Sequence, residues 1–226
     1  PQECPVKACG RYYPERVDDV AWENDLTAFR AYGPALQETG ERAFGYDIWT
    51  KYNTTEPVVE ARYEGELNPD MKAKIAELGK TDPKAAQELY RSVSYHVDHG
   101  NGLDCYKVGP TLGGGTTALM AGDTIIYPYC YATQEILDNG PLRFTVKLVY
   151  NPLVVKGDST IIETRIITLD AGSYCNKTVV SYTNLKETMP LAVGIVLHEP
   201  DGAIVADAAN GYMTYVDPTD NAGGDN

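Results

Sequence analysis

Alternation of apolar and polar positions organises the second half of the chain. In Arg143–Tyr150, Phe144, Val146 and Leu148 fall on one side and Arg143, Thr145 and Lys147 on the other. A period of two marks a strand with one face in a core. Asp138-Asn-Gly-Pro supplies the turn before it. Thr160–Leu169 and Lys177–Thr183 flank Asp170-Ala-Gly-Ser and predict a hairpin. Leu191–His198 and Ala203–Ala206 are expected to pair across Glu199-Pro-Asp-Gly, and Gly211–Val216 adds another strand. Earlier in the chain, Val17–Ala35 reads as a short turn into a strand around Leu26–Tyr32. Phe44–Tyr52 and Val58–Tyr63 are further strand candidates.

Helical signals concentrate in Pro69–Val93. Asn68 can cap the start, with Pro69 at the first helical position. Gly79 ends one piece, and Asp82-Pro83 starts a second that runs to about Tyr90. Residues 1–16, with three prolines, read as an irregular leader. Residues 217–226, rich in Gly, Asp and Asn, read as a flexible tail. The pattern predicts a mainly β protein. Residues 17–216 form one antiparallel β-sandwich domain, with a short helical insertion around 69–93 that shapes one end of the sheet. No strand–helix alternation supports a parallel α/β fold.

Composition narrows the functional classes. The 226 residues carry a formal net charge of −13. That balance argues against nucleic acid, whose phosphates need clustered Lys and Arg, and against an anionic membrane surface. No run approaches the ~20 apolar residues of a membrane helix. Tyrosine is abundant, 17 against 3 Phe and 2 Trp, and suits β surfaces and sugar clefts alike. The five cysteines include no C-x-x-C pair, which disfavours a zinc ribbon. Cys4 and Cys9 are close enough in sequence to close a small disulfide loop. Asn53-Thr-Thr and Asn176-Lys-Thr are N-glycosylation sequons. The chain starts at Pro1, as expected of a processed or partial polypeptide.

Two segments hold an excess of chemically capable residues. In Tyr95–Pro110, His96, Asp98 and His99 have the donor types of a divalent metal site, which Asp104 or His198 can complete. The same loop suits acid–base work, with a carboxylate orienting a histidine and Tyr106 or Lys107 meeting developing negative charge. A third role is structural, with these side chains satisfying backbone groups of the loop. Upstream, Trp22, Glu23, Asn24, Arg30 and Tyr32 are the combination that sugar sites use: a ring for the pyranose face, polar groups for hydroxyls or a uronate. Gly109-Pro-Thr-Leu-Gly-Gly-Gly-Thr-Thr lacks the lysine of a phosphate loop. It reads as a bend that lets two stretches of backbone approach closely.

Pro14–Asp25, Ala28–Leu36, Tyr95–Gly109, Asn139–Phe144 and Leu169–Ser173 together resemble the DUF4861 family, a domain of unknown function, over about Tyr12–Tyr215. Members are typically larger exported bacterial proteins encoded beside polysaccharide-degrading enzymes. The resemblance implies a galactose-mutarotase-like supersandwich, an extracellular or periplasmic location and carbohydrate as partner. Set against the family pattern, the chain is expected to lack an N-terminal β portion and to carry an insertion at Pro69–Val93. The leading expectation is a lyase or hydrolase acting on uronate-containing polysaccharide. His96 or His99 is then the base, Arg16 or Arg30 holds the carboxylate, and Tyr106 or Lys107 assists the leaving oxygen. A non-catalytic sugar-binding module and a self-associating subunit of an extracellular assembly are the alternatives.

Overall fold

The computed structural model describes residues 3–52, 56–199 and 202–217. The protein is mainly β and antiparallel. Its first sheet runs in chain order: β1 (Ala8–Tyr13), β2 (Asp19–Asn24), β3 (Thr27–Ala31), β4 (Asp47–Lys51) and β5 (Gly102–Asp104). Helix α1 (Pro34–Glu38) lies between β3 and β4. Helices α2 (Val59–Glu66), α3 (Pro69–Gly79) and α4 (Pro83–Arg91) lie between β4 and β5. A hairpin of β6 (Thr116–Ala121) and β7 (Thr124–Ile126) follows.

The second sheet contains β8 (Tyr131–Asn139), β9 (Arg143–Tyr150), β10 (Leu153–Val155), β11 (Asp158–Asp170) and β12 (Lys177–Thr183). Strand β11 is its spine, bonded to β9 on one side, β12 on the other, and β10 near its start. Strand β13 (Leu191–Gly194) returns to pair with β6. Strands β14 (Ile204–Asp207) and β15 (Tyr212–Tyr215) form a two-stranded sheet.

Alternation gives the first sheet two different faces. Val20, Trp22, Phe29 and Ala31 point one way and pack on Phe144, Val146, Leu148, Ile167 and Leu169 of the second sheet. This is the sandwich core. Trp22 is 0% exposed, with Phe29 and Phe144 stacked near it and Tyr46 edge-on. Its indole N–H donates to Asn176 Oδ1 at 2.9 Å. Ala21, Ala28 and Trp49 point the other way, onto Val59, Tyr63 and Tyr95 of the helical region.

Several expectations hold. Strand β9 spans Arg143–Tyr150, and β11 and β12 form the predicted hairpin. Asn68 Oδ1 accepts from the backbone of Asp70 and Met71, and Asp82 Oδ1 from Ala85, so both helices start where their caps place them. Other expectations are corrected. The leader is not irregular throughout, because residues 8–13 form β1, fully paired with β2. Val17–Ala35 holds two strands, since Asn24 Oδ1 accepts from the N–H groups of Leu26 and Thr27 and turns the chain between them. Val58–Tyr63 is largely helix, not strand, and extends the insertion back to Val59. Leu191–Gly194 pairs with the distant β6 rather than with 203–206. No cysteine is in a disulfide: Cys9 is held in β1 and Cys4 stays free. Burial and then the nearby Glu23 push the Cys9 thiol up to about 11. Of the expected tail, only Asp217 lies within the described residues, as Asn53 does not.

One tight turn positions the functional end of the sheet. Val17 and Asp18 have φ of 47° and 66°, a conformation few β-branched residues adopt. The Tyr131 phenol donates to the Asp18 carbonyl and the Tyr12 phenol to its carboxylate, which holds the turn. Gly33 packs against it so closely that a Cβ there would lie 1.8 Å from Asp18 O. Gly33→Ala is therefore expected to cost about 3 kcal/mol, read as a lower urea midpoint with unchanged m. A loss below ~0.5 kcal/mol would show that the turn yields freely.

Candidate functional site

Register brings a set of charged residues to one end of the first sheet. Asp19 opens β2, Arg30 and Ala31 close β3, Asp47 opens β4 and Asp104 closes β5. Arg30 and Asp47 are direct cross-strand partners, as are Trp49 and Asp104. The period of two places Asp19, Arg30, Asp47 and Asp104 on the face that carries the helices, away from the sandwich core.

Arg30 is the centre. Its guanidinium donates to Asp47, to Asp104 Oδ2 at 2.7 Å, and to the phenols of Tyr63 and Tyr32 at 3.2 and 3.3 Å. Its Nε lies 3.9 Å from Asp19 Oδ2. Both atoms are buried without a hydrogen-bond partner, and a gap of that length suits a bridging polar group. The rings of Tyr32, Trp49 and Tyr95 lie 5.0 to 5.7 Å from the guanidinium carbon. Burial pushes the Asp19 and Asp47 carboxyls up to about 7 against the pull of Arg30. Three acids around one buried guanidinium cannot all ionise cheaply, so the cluster holds a proton near neutrality. Burial also pushes the Tyr32 phenol far up.

The accessible members lie at the margin. Arg16 Nε donates to the Tyr95 phenol at 3.0 Å, and its Nη1 lies 3.7 Å from Asp19 Oδ2. The Arg16 side chain keeps 20% of its exposure. The His96 side chain is 42% exposed, with Nδ1 3.1 Å from the Asp104 carbonyl and 3.7 Å from its carboxylate. The His96 ring also packs on Tyr95, at 4.5 Å between centroids. Tyr32 is half-buried. Half-buried Tyr106 donates to the Gly113 carbonyl at 3.1 Å, and burial, then Asp217 and Asp47, push its phenol up.

The fold thus unites Arg16, Arg30, Tyr32, His96 and Asp104 in one cluster. It does not unite them with the rest of the expected site. Trp22 offers no ring face to a sugar, because it is buried between the sheets. Asn24 is buried too, and its amide donates to the Asp170 and Ser173 carbonyls. The Glu23 carboxylate accepts the N–H groups of Val58 and Val59 and the Lys51 ammonium, which anchors the start of α2. A substrate-binding role for Trp22, Glu23 and Asn24 is therefore replaced by a structural one.

The metal expectation is corrected on geometry. His99 Nε2 lies 2.9 Å from the Ser94 carbonyl, and Asp98 Oδ1 accepts from Gly100 and Gly102. Both shape the loop. His198 uses Nε2 on the Lys107 carbonyl and Nδ1 on Asp217. Among the described residues, no three His, Cys, Asp or Glu side chains converge as a ligand set. His96, Asp98 and His99 thus do not fit a metal ion. The Lys107 residue is exposed.

Sequence reasoning missed Asp19, Asp47 and Tyr63. The signal for Asp47 was present: in Asp47-Ile-Trp-Thr-Lys it shares a face with Trp49 and Lys51, so a buried acid needed a cation across the strand. The fold and this cluster define an antiparallel β-sandwich protein whose first sheet carries a buried acid–arginine–tyrosine site beneath a helical cover. The chain belongs to the DUF4861 family, described as a domain of unknown function, whose model matches residues 2–226. It is 29% identical over 217 residues to "Uncharacterized protein P7" of Formosa agariphila, a match covering 93% of this chain and 48% of that protein. The chain spans about half the length of the curated relative it matches. No solved structure matches it.

Proposed function

We propose that this cluster is the working site of an extracytoplasmic carbohydrate-active protein, a lyase acting on uronate-containing polysaccharide. The observation that carries the reading is that two partly exposed groups share Tyr95 beside the buried acids, Arg16 on its phenol and His96 against its ring. Arg16 meets the uronate carboxylate. His96, oriented through Nδ1 by Asp104, takes the proton from the carbon beside that carboxylate. The electron pair forms a carbon–carbon double bond, and the bond to the glycosidic oxygen breaks. The leaving oxygen takes a proton from water, because the Tyr106 phenol is committed to the Gly113 carbonyl. Arg30 acts through the others, since it is buried and fully engaged. A hydrolase is not chosen, because its pair of carboxyl groups must reach the glycosidic bond and Asp19, Asp47 and Asp104 are buried. The location rests on the family resemblance.

His96→Ala and Arg16→Ala are each expected to lower turnover of uronate polymers at least ~100-fold, read as ultraviolet absorbance of the unsaturated product. Unchanged turnover in both would end this reading.

Self-association is a second reading, favoured by one observation. The β14–β15 sheet pairs with no other strand among the described residues, and Ile204, Val205, Tyr212 and Met213 are exposed on it. A two-stranded sheet of this kind gains from a partner. Sedimentation should show an oligomer that Val205→Lys with Met213→Glu dissolves. A monomer at all concentrations excludes it.

A further inference from the structure

The geometry points to a second carbohydrate position on the other face of the same strands: a cavity that takes a neutral sugar ring. Its volume is about 450 Å³, within the ~300–1,000 Å³ of small-molecule sites. Phe29 and Ile48 form an apolar floor, and the turn carrying Tyr174 and Asn176, with Thr178 at the start of β12, forms a wall. Phe29 and Ile48 alternate with Arg30 and Asp47 along β3 and β4. The cavity and the charged cluster therefore open on opposite faces of the sheet.

Three observations choose the ligand class. First, the cavity has no charge to offer an ion. Lys51 lines it, but its ammonium is 1% exposed and bonded to Glu23 and to the carbonyls of Asn24 and Glu56. Second, Tyr174 is 69% exposed. A free ring beside an apolar floor suits the C–H face of a pyranose. Third, the polar groups are neutral and fixed. Asn176 Oδ1 accepts from the Trp22 indole at 2.9 Å, which sets the amide plane and leaves Nδ2 as a donor for a hydroxyl. Thr178 and Thr50 add hydroxyls.

The glycine run beside it has a matching role. Gly113 makes a parallel bridge to Tyr46, and a Cβ on Gly114 would lie 2.4 Å from Ile48 Cδ1. Gly114 and Gly115 thus let the backbone close one side of the cavity without filling it.

The inference shares the carbohydrate reading but not its site, so the two fail separately. The test is saturation-transfer NMR and calorimetric titration of the full chain with neutral methyl glycosides of hexoses and 6-deoxyhexoses, and with neutral xylo- and manno-oligosaccharides. Binding is expected for at least one of them. Tyr174→Ala should weaken it at least tenfold and Thr178→Val severalfold, while His96→Ala leaves it unchanged. Turnover of short uronate oligomers should survive Tyr174→Ala. Loss of uronate turnover as a property of the wild type, with Tyr174-dependent binding intact, sinks only the lyase. Absence of binding by every neutral sugar, binding indifferent to both cavity variants, or binding abolished by His96→Ala overturns the second position.

Discussion

Arg30→Met is expected to destabilise the protein by about 3–5 kcal/mol at neutral pH, the range for breaking a buried ion pair from one side. Methionine fills similar space and keeps the apolar stem, so packing contributes little of the loss. The loss comes from the carboxylates left behind. Asp19 and Asp47 are 0% exposed and Asp104 is 3% exposed, and Arg30 is the guanidinium bonded to both Asp47 and Asp104. Arg16 reaches only Asp19, at 3.7 Å. The orphaned acids would take up protons, so the deficit should shrink as pH falls. Urea unfolding followed by Trp22 and Trp49 fluorescence measures it. Adding Asp47→Asn to Arg30→Met should restore part of the loss, because one unpaired acid is then gone. A deficit under ~1 kcal/mol, or full additivity of the two changes, would show that the cluster does not act as a unit.

The same cluster shows which part of the molecule was legible beforehand. Strand β9 and the β11–β12 hairpin were readable because alternation and a turn sit side by side, and both are local. Helices α3 and α4 were readable from their caps. Helix α2 was missed because Val58 and Val59 favour strands, although Val59, Tyr63 and Leu67 recur every four residues, as on one helix face. The partner of β13 was beyond local reasoning. Leu191 pairs with Leu119, and the sequence between holds the whole second sheet.

The candidate site divides in the same way. His96 and Asp104 lie in one loop and strand, and their association could be expected. Trp22 and Glu23 were grouped because they are adjacent, yet adjacency in a strand sends side chains to opposite faces. Trp22 went into the sandwich and Glu23 to the start of α2. Arg30 was chosen for exposure to substrate, whereas its position opposite Asp47 made it the buried counter-ion. The remaining members, Asp19, Asp47 and Tyr63, come from three elements and meet only in the fold.

Stability should fall as pH rises from about 5 to about 7.5, by ~2 kcal/mol or more, opposite to the trend of a protein held by salt-bridged acids. Burial first, against the pull of Arg30, moves Asp19 and Asp47 from 3.8 to about 7. Between those values the folded state binds more protons than the unfolded one, so each added pH unit favours unfolding by at most ~1.4 kcal/mol per group. The contribution is complete below about 4 and gone above about 7. Acids with lowered values work the other way, but in another window. Asp158 is held at about 2 by Lys186 and Thr160, and Arg143 lowers Asp170. Both stay ionised from pH 5 upward and lose stabilising charge only in stronger acid. The wild type alone sums every group that binds or releases a proton, so it does not isolate the effect. Comparison with Asp47→Asn does. The asparagine cannot titrate, so its urea stability should vary with pH less steeply than the wild type's, with the difference between the two moving in the variant's favour as pH rises toward about 7.5. Parallel curves would mean that Asp47 is ionised throughout, and that Arg30 alone neutralises the acids around it.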